Sequence, residues 1–264
     1  LGWVATAHTI MTTDTIAKMA FETFNIGGRT VNISGIAKGS GMIFPNMGTM
    51  LGFIFTDANI APSVLNYLLK KKVENTFNAI TVDGDTSTND MVLLFATNKS
   101  KNKMITNKNS ADAKIFEKKL EEVMLNLAKQ VAIDGEGAKK FITVNIKNCK
   151  SKSLAKAIGF SIANSPLVKT AIAAADPNWG RIIMAVGKTN EYINKDKISL
   201  KIGGYLIFKD GEIAKNYKES EVKEYMLGSN IVIDIEMGSG KDGFTVYTCD
   251  LTQEYVSINA DYRS

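Results

Sequence analysis

Histidine is the scarcest functional residue in this sequence, with only His8 among 264 residues. A serine–histidine–carboxylate triad would have to be built around His8, and a metal site with two histidines cannot be built at all. We therefore expect no bound metal. Any catalytic base must come from another kind of group.

Cysteine is almost as rare. Cys149 and Cys249 lie far apart in the chain, and neither has a second cysteine or a histidine nearby. A disulfide framework or a zinc site is therefore not expected. Such sparse cysteine usage suits a reducing compartment, and we expect a cytoplasmic protein.

Long apolar runs are also absent. A membrane-spanning helix needs about 18 or more consecutive apolar residues, and the sequence has no such run, so no membrane association is expected. The content of 45% hydrophobic and 22% charged residues is that of an ordinary soluble globular protein. A chain of 264 residues can form one large domain or two smaller ones.

The net charge of +5 comes mostly from scattered lysines. The short clusters at 70–72 and 99–108 carry no interleaved aromatic residues, which a nucleic-acid-binding surface would favour. We interpret them as solvated lysine faces and expect no nucleic-acid partner.

Periodicity indicates a mixture of helices and strands. Residues 111–131 are the clearest helix, because apolar residues recur there at steps of three and four. The alternation of 30–34 predicts a strand, and Pro62 opens a helix predicted to run through Phe77. The last third, about 198–259, is predicted to be rich in strands, with 230–236 and 243–249 forming a hairpin. The fold class is therefore α+β or a layered α/β protein, with largely antiparallel strands.

The pair Gly48-Thr49 is the sharpest chemical feature. The surrounding glycine-rich loop has no Gly-Lys-Ser/Thr ending, so it does not fit a phosphate-binding P-loop, and a structural turn is the plain alternative. A threonine hydroxyl next to the preceding carbonyl can attack it, however, and glycine does not crowd that attack. Hydrolysis of the resulting ester frees an N-terminal threonine whose own amine can act as base. This chemistry needs no histidine.

Several blocks resemble the ornithine acetyltransferase / N-acetylglutamate synthase family, the self-cleaving bifunctional enzymes of arginine biosynthesis. These blocks occur in family order and are Met11–Thr15, Lys38–Ile43, Pro45–Leu51, Asp83–Asp90, Asp176–Arg181 and Ile258–Ser264. The similarity runs through essentially the whole chain. Each block alone would be weak, but the combination is specific.

The resemblance implies a site. Cleavage would fall between Gly48 and Thr49, and Thr49 would be the nucleophile. The residues expected to contact substrate are Thr12 (with Thr13 its close rival), Lys38, Thr49, Glu136, Asn259 and Ser264. An amino-acid substrate carries a carboxylate and an ammonium, which a lysine and a glutamate can pair. The block at 83–90 does not fit a calcium loop, and we interpret it as turn-forming side chains near the nucleophile.

The resemblance also implies an activity and an organisation. Acetyl would pass from N-acetylornithine to L-glutamate through an acetyl-threonine intermediate. Some members of the family also accept acetyl-CoA, and no other cofactor is implied. The expected fold is a layered sandwich of mixed or antiparallel sheets between helices. Residues 1–48 would end the alpha chain and 49–264 would form the beta chain, with parts 49–135 and 136–264. The pieces would stay together as a heterotetramer of two of each.

Two other readings remain open. N-terminal nucleophile amidohydrolases and aminopeptidases use the same kind of nucleophile, with its own amine as base, but pass the acyl group to water. Family members also carry an N-terminal part with a Thr-Gly pair credited with the oxyanion hole, and residues 1–264 contain no match to that pair. We therefore expect that part of the fold to be absent from this chain, and an inactive, uncleaved remnant is the second alternative.

Overall fold

A computed structural model describes residues 2–44, 50–189 and 193–261. The predicted site residues Gly48, Thr49 and Ser264 lie outside the described residues. The chain divides into two compact units. Unit 1 comprises Leu1–Ile80 and Asp85–Asp134, and unit 2 comprises Thr81–Gly84 and Gly135–Ser264.

The elements of the described residues alternate between helices and strands. The helices are α1 (Gly2–Thr9), α2 (Pro62–Val73), α3 (Ala111–Ile133), α4 (Lys152–Ala163), α5 (Pro166–Ala173), α6 (Trp179–Gly187), α7 (Glu219–Met226) and α8 (Gln253–Asp261), with one-turn 3-10 helices at Phe77–Ala79 and Lys195–Lys197. The strands are β1 (Lys18–Ile26), β2 (Arg29–Lys38), β3 (Leu51–Thr56), β4 (Met91–Ala96), β5 (Phe141–Cys149), β6 (Ser199–Ile202), β7 (Tyr205–Lys209), β8 (Glu212–Ile213), β9 (Asn230–Glu236) and β10 (Asp242–Cys249).

Unit 1 is built on a four-stranded sheet in the order β1-β2-β3-β4. β1, β2 and β3 pair antiparallel, whereas β3 and β4 are parallel and are joined through α2, as a parallel pair requires. Helix α3 packs on the sheet with its predicted apolar face buried. Gly35 of β2 permits this contact, since a Cβ there would lie 2.7 Å from Leu127 and 3.3 Å from Val123.

Unit 2 is built on a six-stranded sheet in the order β10-β5-β9-β6-β7-β8. The predicted hairpin of 230–236 with 243–249 is wrong, because β5 lies between these two strands. β5 runs parallel to β9 and antiparallel to β10. The loop between β9 and β10, residues 237–241, crosses the end of β5, and the N–H groups of Ser239 and Gly240 donate to Asn148 O at 2.8 and 2.9 Å. A Cβ at Gly240 would lie 2.2 Å from Cys149 O, so the glycine serves this close crossing.

Two helix predictions also need correction. α2 ends at Val73 rather than at Phe77, since Thr76 leaves the helical conformation and its hydroxyl donates to Lys72 O at 2.8 Å. Residues 253–261, within the region predicted to be rich in strands, form the helix α8. In the described part of the chain, no helix has both the length and the apolar character needed to cross a membrane.

Candidate active site

The structure divides the described site residues into two pairs, one in each unit. Thr12 and Lys38 lie together in unit 1, and Glu136 and Asn259 lie together in unit 2. Each pair is held in place by neighbouring residues that the sequence analysis did not single out. The pairs are described separately below.

Lys38 ends the central strand β2 and is only 8% exposed. Its Nζ donates to Thr12 Oγ1 at 3.4 Å, and among the described residues it forms no ion pair. In the sheet register Lys38 lies opposite Leu51, close in sequence to the predicted nucleophile. A largely desolvated ammonium that forms no ion pair within the described ranges is costly in a fold unless another group or a ligand compensates its charge. This position suits a cation that receives an anionic ligand.

Asp14 holds Thr12 and Lys38 next to each other. Its carboxylate accepts the N–H of Thr12 at 3.1 Å and the N–H of Gly39 at 2.7 Å. Burial acts to raise the pKa of Asp14, but the hydrogen bonds from Gly39, Lys18 and Thr12 together hold that pKa below its ordinary value. The lowered pKa favours the ionised form of Asp14 in the folded protein. This carboxylate ties the segment before β1 to the end of β2.

A buried charge cluster of Lys18, Asp14 and Asp134 supports this junction. The Lys18 side chain is fully buried, and its Nζ donates to Asp14 Oδ1 at 2.6 Å and to Asp134 Oδ2 at 2.5 Å. Asp134 follows α3 and also accepts the N–H of Thr15 at 2.9 Å. Its carbonyl accepts the Ser40 hydroxyl at 2.5 Å. Satisfied networks of this kind fix a single arrangement of the chain.

Met50 is the first described residue after the predicted nucleophile, and both its backbone N–H and its backbone carbonyl are hydrogen-bonded. Its N–H donates to Asp90 Oδ1, and its carbonyl accepts the N–H of Met91 at 3.1 Å. Burial raises the pKa of Asp90 to about 6, although the Met50 N–H and the charge of Lys38 both act to lower it. Asp90 belongs to the block interpreted as turn-forming, and its side chain bonds the backbone at the start of β3.

A cavity of about 300 Å³ in unit 1 opens beside Asp90. Its walls are mainly apolar, with Met50 and Phe77 among them, and Lys70 and Asn78 add polar groups. A concave apolar space with a few polar groups is typical of small-molecule sites. Met50, the residue just before β3, belongs to the cavity wall.

In unit 2, Glu136 and Asn259 are hydrogen-bonded to each other. Asn259 Nδ2 donates to Glu136 Oε2 at 2.8 Å and to Tyr255 O at 3.0 Å. Glu136 is half-buried and Asn259 is exposed. The amide therefore orients the carboxylate, whose oxygens can accept further hydrogen bonds from a ligand cation.

Gly137 allows this pair to form because it lets α8 approach closely. It has a φ of +68°, and a Cβ there would lie 2.5 Å from Tyr255 N. The Thr252 hydroxyl just before the helix donates to Gly137 O at 2.7 Å. Gly137 thus serves both the left-handed turn and the close packing of α8.

Asp14, Lys18, Asp90 and Asp134 are the residues that sequence reasoning missed. Asp14 and Asp90 lie inside blocks quoted for the family resemblance, so the sequence held a signal for these two residues. Lys18 and Asp134 gave no signal, since their contact spans 116 residues of sequence.

In the ranges that the structure describes, no group of three or more histidine, cysteine or acidic side chains could hold a metal. Cys149 and Cys249 are both buried and free.

The fold is that of an α/β protein, and in unit 1 Thr12 and Lys38 meet at the end of the inner strand β2. A profile of the ArgJ family matches residues 3–264, and the chain belongs to the ArgJ family. The family resemblance drawn from the sequence blocks is thereby confirmed.

The relatives and a solved structure agree with this assignment. The arginine biosynthesis bifunctional protein ArgJ of Bradyrhizobium diazoefficiens is 49% identical over 265 residues, which cover 99% of this chain and 64% of that protein. The ArgJ protein of Zymomonas mobilis is 47% identical and covers 100% and 64%, respectively. The chain thus spans just under two thirds of these relatives. The crystal structure of ArgJ from Bacillus halodurans matches 78% of this chain and 96% of that chain, with 40% identity and a TM-score of 0.75. The layered α/β fold class with mixed sheets is confirmed.

Proposed function

We propose that this chain is an acyltransferase that moves acetyl from N-acetylornithine to L-glutamate after cleaving itself between Gly48 and Thr49. The observation that supports it most is Lys38, a nearly buried ammonium next to Thr12 and opposite Leu51 in the sheet. Membership of the ArgJ family gives this cation a ligand of the right chemistry, the carboxylate of an amino acid.

The maturation step breaks one peptide bond. The Thr49 hydroxyl attacks the Gly48 carbonyl carbon, the carbon–nitrogen bond opens, and an ester joins the two residues. Water then hydrolyses the ester, which leaves a carboxylate on Gly48 and a free amine on Thr49. That amine has an ordinary pKa of about 7.7–8.0, close to the working pH.

The transfer occurs in two steps with a covalent intermediate. The Thr49 hydroxyl gives its proton to its own amine and attacks the acetyl carbonyl of N-acetylornithine. The amide bond breaks, and ornithine leaves with the proton. The amine of glutamate then attacks the acetyl ester, which forms N-acetylglutamate and restores the hydroxyl. Ping-pong kinetics are expected from this order.

The other predicted residues bind the substrate. Lys38 and Thr12 hold its carboxylate, while Glu136, oriented by Asn259, holds its ammonium. Ser264, outside the described residues, adds a hydrogen bond. Acetyl-CoA is a second acetyl donor to be tested. The cleaved pieces stay associated and pair as two of each in the cytoplasm.

Intact-mass measurement of the expressed chain tests the maturation step. The parent is expected to yield two pieces that meet between residues 48 and 49, and Thr49→Ala is expected to stay whole. Thr97→Ala, which alters an exposed threonine on the surface of unit 1, is the matched control and should cleave like the parent. An unsplit parent would favour the inactive remnant instead.

Incubation with N-acetylornithine, with and without glutamate, tests the transfer. Acetylglutamate should appear only when glutamate is present, whereas a hydrolase would release acetate regardless of glutamate. Lys38→Met is expected to lower kcat/KM by about 10- to 100-fold, because it removes a charge-assisted hydrogen bond to the substrate. Full activity in Lys38→Met would contradict the assigned role.

A further inference from the structure

Glu136, which is assigned above to the substrate ammonium, lies on a tight turn in unit 2. The turn spans residues 135–138 and is closed by the N–H of Ala138, which donates to Gly135 O at 2.8 Å. Gly137 has a φ of +68°, which suits the third residue of a type II turn. The direction of the Glu136 side chain therefore depends on the contacts that hold this turn.

Residues 249–252, at the end of β10 and just before α8, run alongside the turn. A Cβ on Gly135 would lie 2.7 Å from Cys249 Sγ, so the two segments are in close contact. The Thr252 hydroxyl donates to Gly137 O at 2.7 Å. Helix α8 starts directly after this segment, so the turn and the helix are held by the same short stretch of chain.

Asp250 connects this stretch to the residues that follow the turn. Its Oδ1 accepts the N–H groups of Lys139 and Lys140 at 2.8 and 2.9 Å. Its own N–H donates to Lys140 O at 3.1 Å. Hydrogen bonds accepted by a carboxylate are about twice as strong as those between neutral groups. Asp250 thus fixes the chain between the turn and β5.

The surroundings of Asp250 do not favour a carboxylate for stability alone. Asp250 is only 2% exposed, and within the described residues its Oδ2 has no hydrogen-bond partner. Leaving a buried carboxylate oxygen unbonded is costly. The charge of Lys140 interacts with Asp250, but the Lys140 Nζ donates to Ile172 O and Met226 O instead, at 2.8 and 2.7 Å. The position of Asp250 is therefore better explained by the backbone groups that its other oxygen holds.

We propose, building on the function proposed above, that Asp250 is a positioning residue for substrate binding: through the N–H groups that follow the turn, its carboxylate fixes the direction in which Glu136 meets the ammonium of N-acetylornithine. Asp250 acts through Glu136 and makes no contact of its own with the substrate. Its effect is therefore specific to the part of the substrate that Glu136 binds.

Hydrogen–deuterium exchange tests the contact. In Asp250→Ala the N–H groups of Lys139 and Lys140 lose their acceptor, so the segment 137–141 should exchange about tenfold faster or more. Asp250→Asn keeps an oxygen at the same place and should stay within about threefold of the parent. Asp242→Ala, at an exposed carboxylate that begins β10, is the control and should match the parent. Unchanged exchange of this segment in Asp250→Ala would overturn the proposal.

A choice between two acetyl donors tests the role in binding. N-acetylnorvaline is N-acetylornithine without its terminal ammonium, so it cannot use the bond to Glu136. With both donors in one reaction, the parent should favour N-acetylornithine by about 10- to 100-fold in kcat/KM. Asp250→Ala should lower this preference about as far as Glu136→Gln does, whereas Asp250→Asn should keep it within about threefold of the parent. The preference does not depend on how much of the enzyme is folded, so a purely structural defect would leave it unchanged.

Two results would contradict the positioning role. One is an Asp250→Ala enzyme with the preference of the parent, and the other is an Asp250→Asn enzyme that loses as much preference as Asp250→Ala. A parent that transfers no acetyl, or that does not prefer N-acetylornithine, instead refutes the function proposed above or the part of Glu136 in it. The exchange rates of segment 137–141 then decide on Asp250 alone.

Discussion

Replacing Lys18 by methionine is the most direct test of the buried charge cluster. The lysine side chain is fully buried, and its ammonium lies 2.6 Å from Asp14 and 2.5 Å from Asp134. Methionine keeps most of the apolar stem and removes the charge. The side chains of Asp14 and Asp134, which are 0% and 4% exposed, would then be left without their cation.

The expected loss of stability is large. Breaking a buried ion pair by removing one partner costs about 3–5 kcal/mol, because the remaining charge stays desolvated. The folded-state pKa of Asp14 is depressed below 3.8 in the parent, so its contribution is present above pH 3.8 and is lost as the pH falls through the depressed value. In Lys18→Met, Asp14 can avoid the penalty by protonation. The difference from the parent should therefore be greatest near pH 7 and should shrink as the pH falls toward 3.8.

Tryptophan fluorescence can follow unit 1 separately. The sequence has two tryptophans, Trp3 in unit 1 and Trp179 in unit 2. In a Trp179→Phe background, Trp3, which packs edge-on against Phe55 at 5.3 Å, reports the unfolding of unit 1 in urea. The free energy of unfolding should fall by about 3–5 kcal/mol at pH 7 in Lys18→Met.

An exposed lysine provides the control. The Lys71 side chain is 47% exposed and pairs with Glu117, which keeps Lys72 as a second partner. Lys71→Met should therefore change the free energy of unfolding by less than about 1 kcal/mol. If Lys18→Met behaved like this control at pH 7, or if its effect did not depend on pH, the reasoning from buried charge would be refuted.

Three further outcomes are expected. Ser110→Ala removes the hydroxyl that caps α3 through the N–H of Ala113 at 3.1 Å, and it should lower the stability of unit 1 by about 1 kcal/mol in the same urea titration. Gly137→Ala places a Cβ 2.5 Å from the backbone of α8 at a φ of +68°, so unfolding should become easier by about 2–4 kcal/mol in circular-dichroism urea melts, whereas Gly187→Ala, with open space around it, should change little. Glu136→Gln should raise KM for N-acetylornithine about tenfold or more in steady-state assays with little change in kcat, and an unchanged KM would count against its ammonium-binding role.

Local patterns in the sequence determined the helices and strands in which apolar residues recur at a regular spacing. The helix predicted at 111–131 is observed as Ala111–Ile133, and its apolar face is buried. The strand at 30–34 lies within β2. These predictions succeed because a repeat of 3.6 or 2 residues reports which face of an element meets the core. β1 went unpredicted because its apolar residues do not keep to one face: Met19 and Phe21 are exposed, whereas Ile26 is buried.

Strand order was decided only by the tertiary structure. The segments 230–236 and 243–249 have the alternation and the glycine-rich link of a hairpin, yet β5 lies between them. Alternation reports burial but does not identify the neighbouring strand. Gly240 of the link approaches the end of β5, where a Cβ would lie 2.2 Å from Cys149 O.

For the candidate site too, the sequence indicated some residues, and only the tertiary structure showed the others. The site residues at 12, 38, 49, 136 and 259 were assigned through the family resemblance. Only the chemistry of Gly48-Thr49, a hydroxyl beside the preceding carbonyl, follows from a local arrangement of groups. The groups that support them come from distant segments: Lys18 reaches Asp134 across 116 residues, and Asp90 reaches Met50 across 40. A buried charge is stable only where its partners converge, and convergence of this kind is a property of the folded chain rather than of any window of sequence.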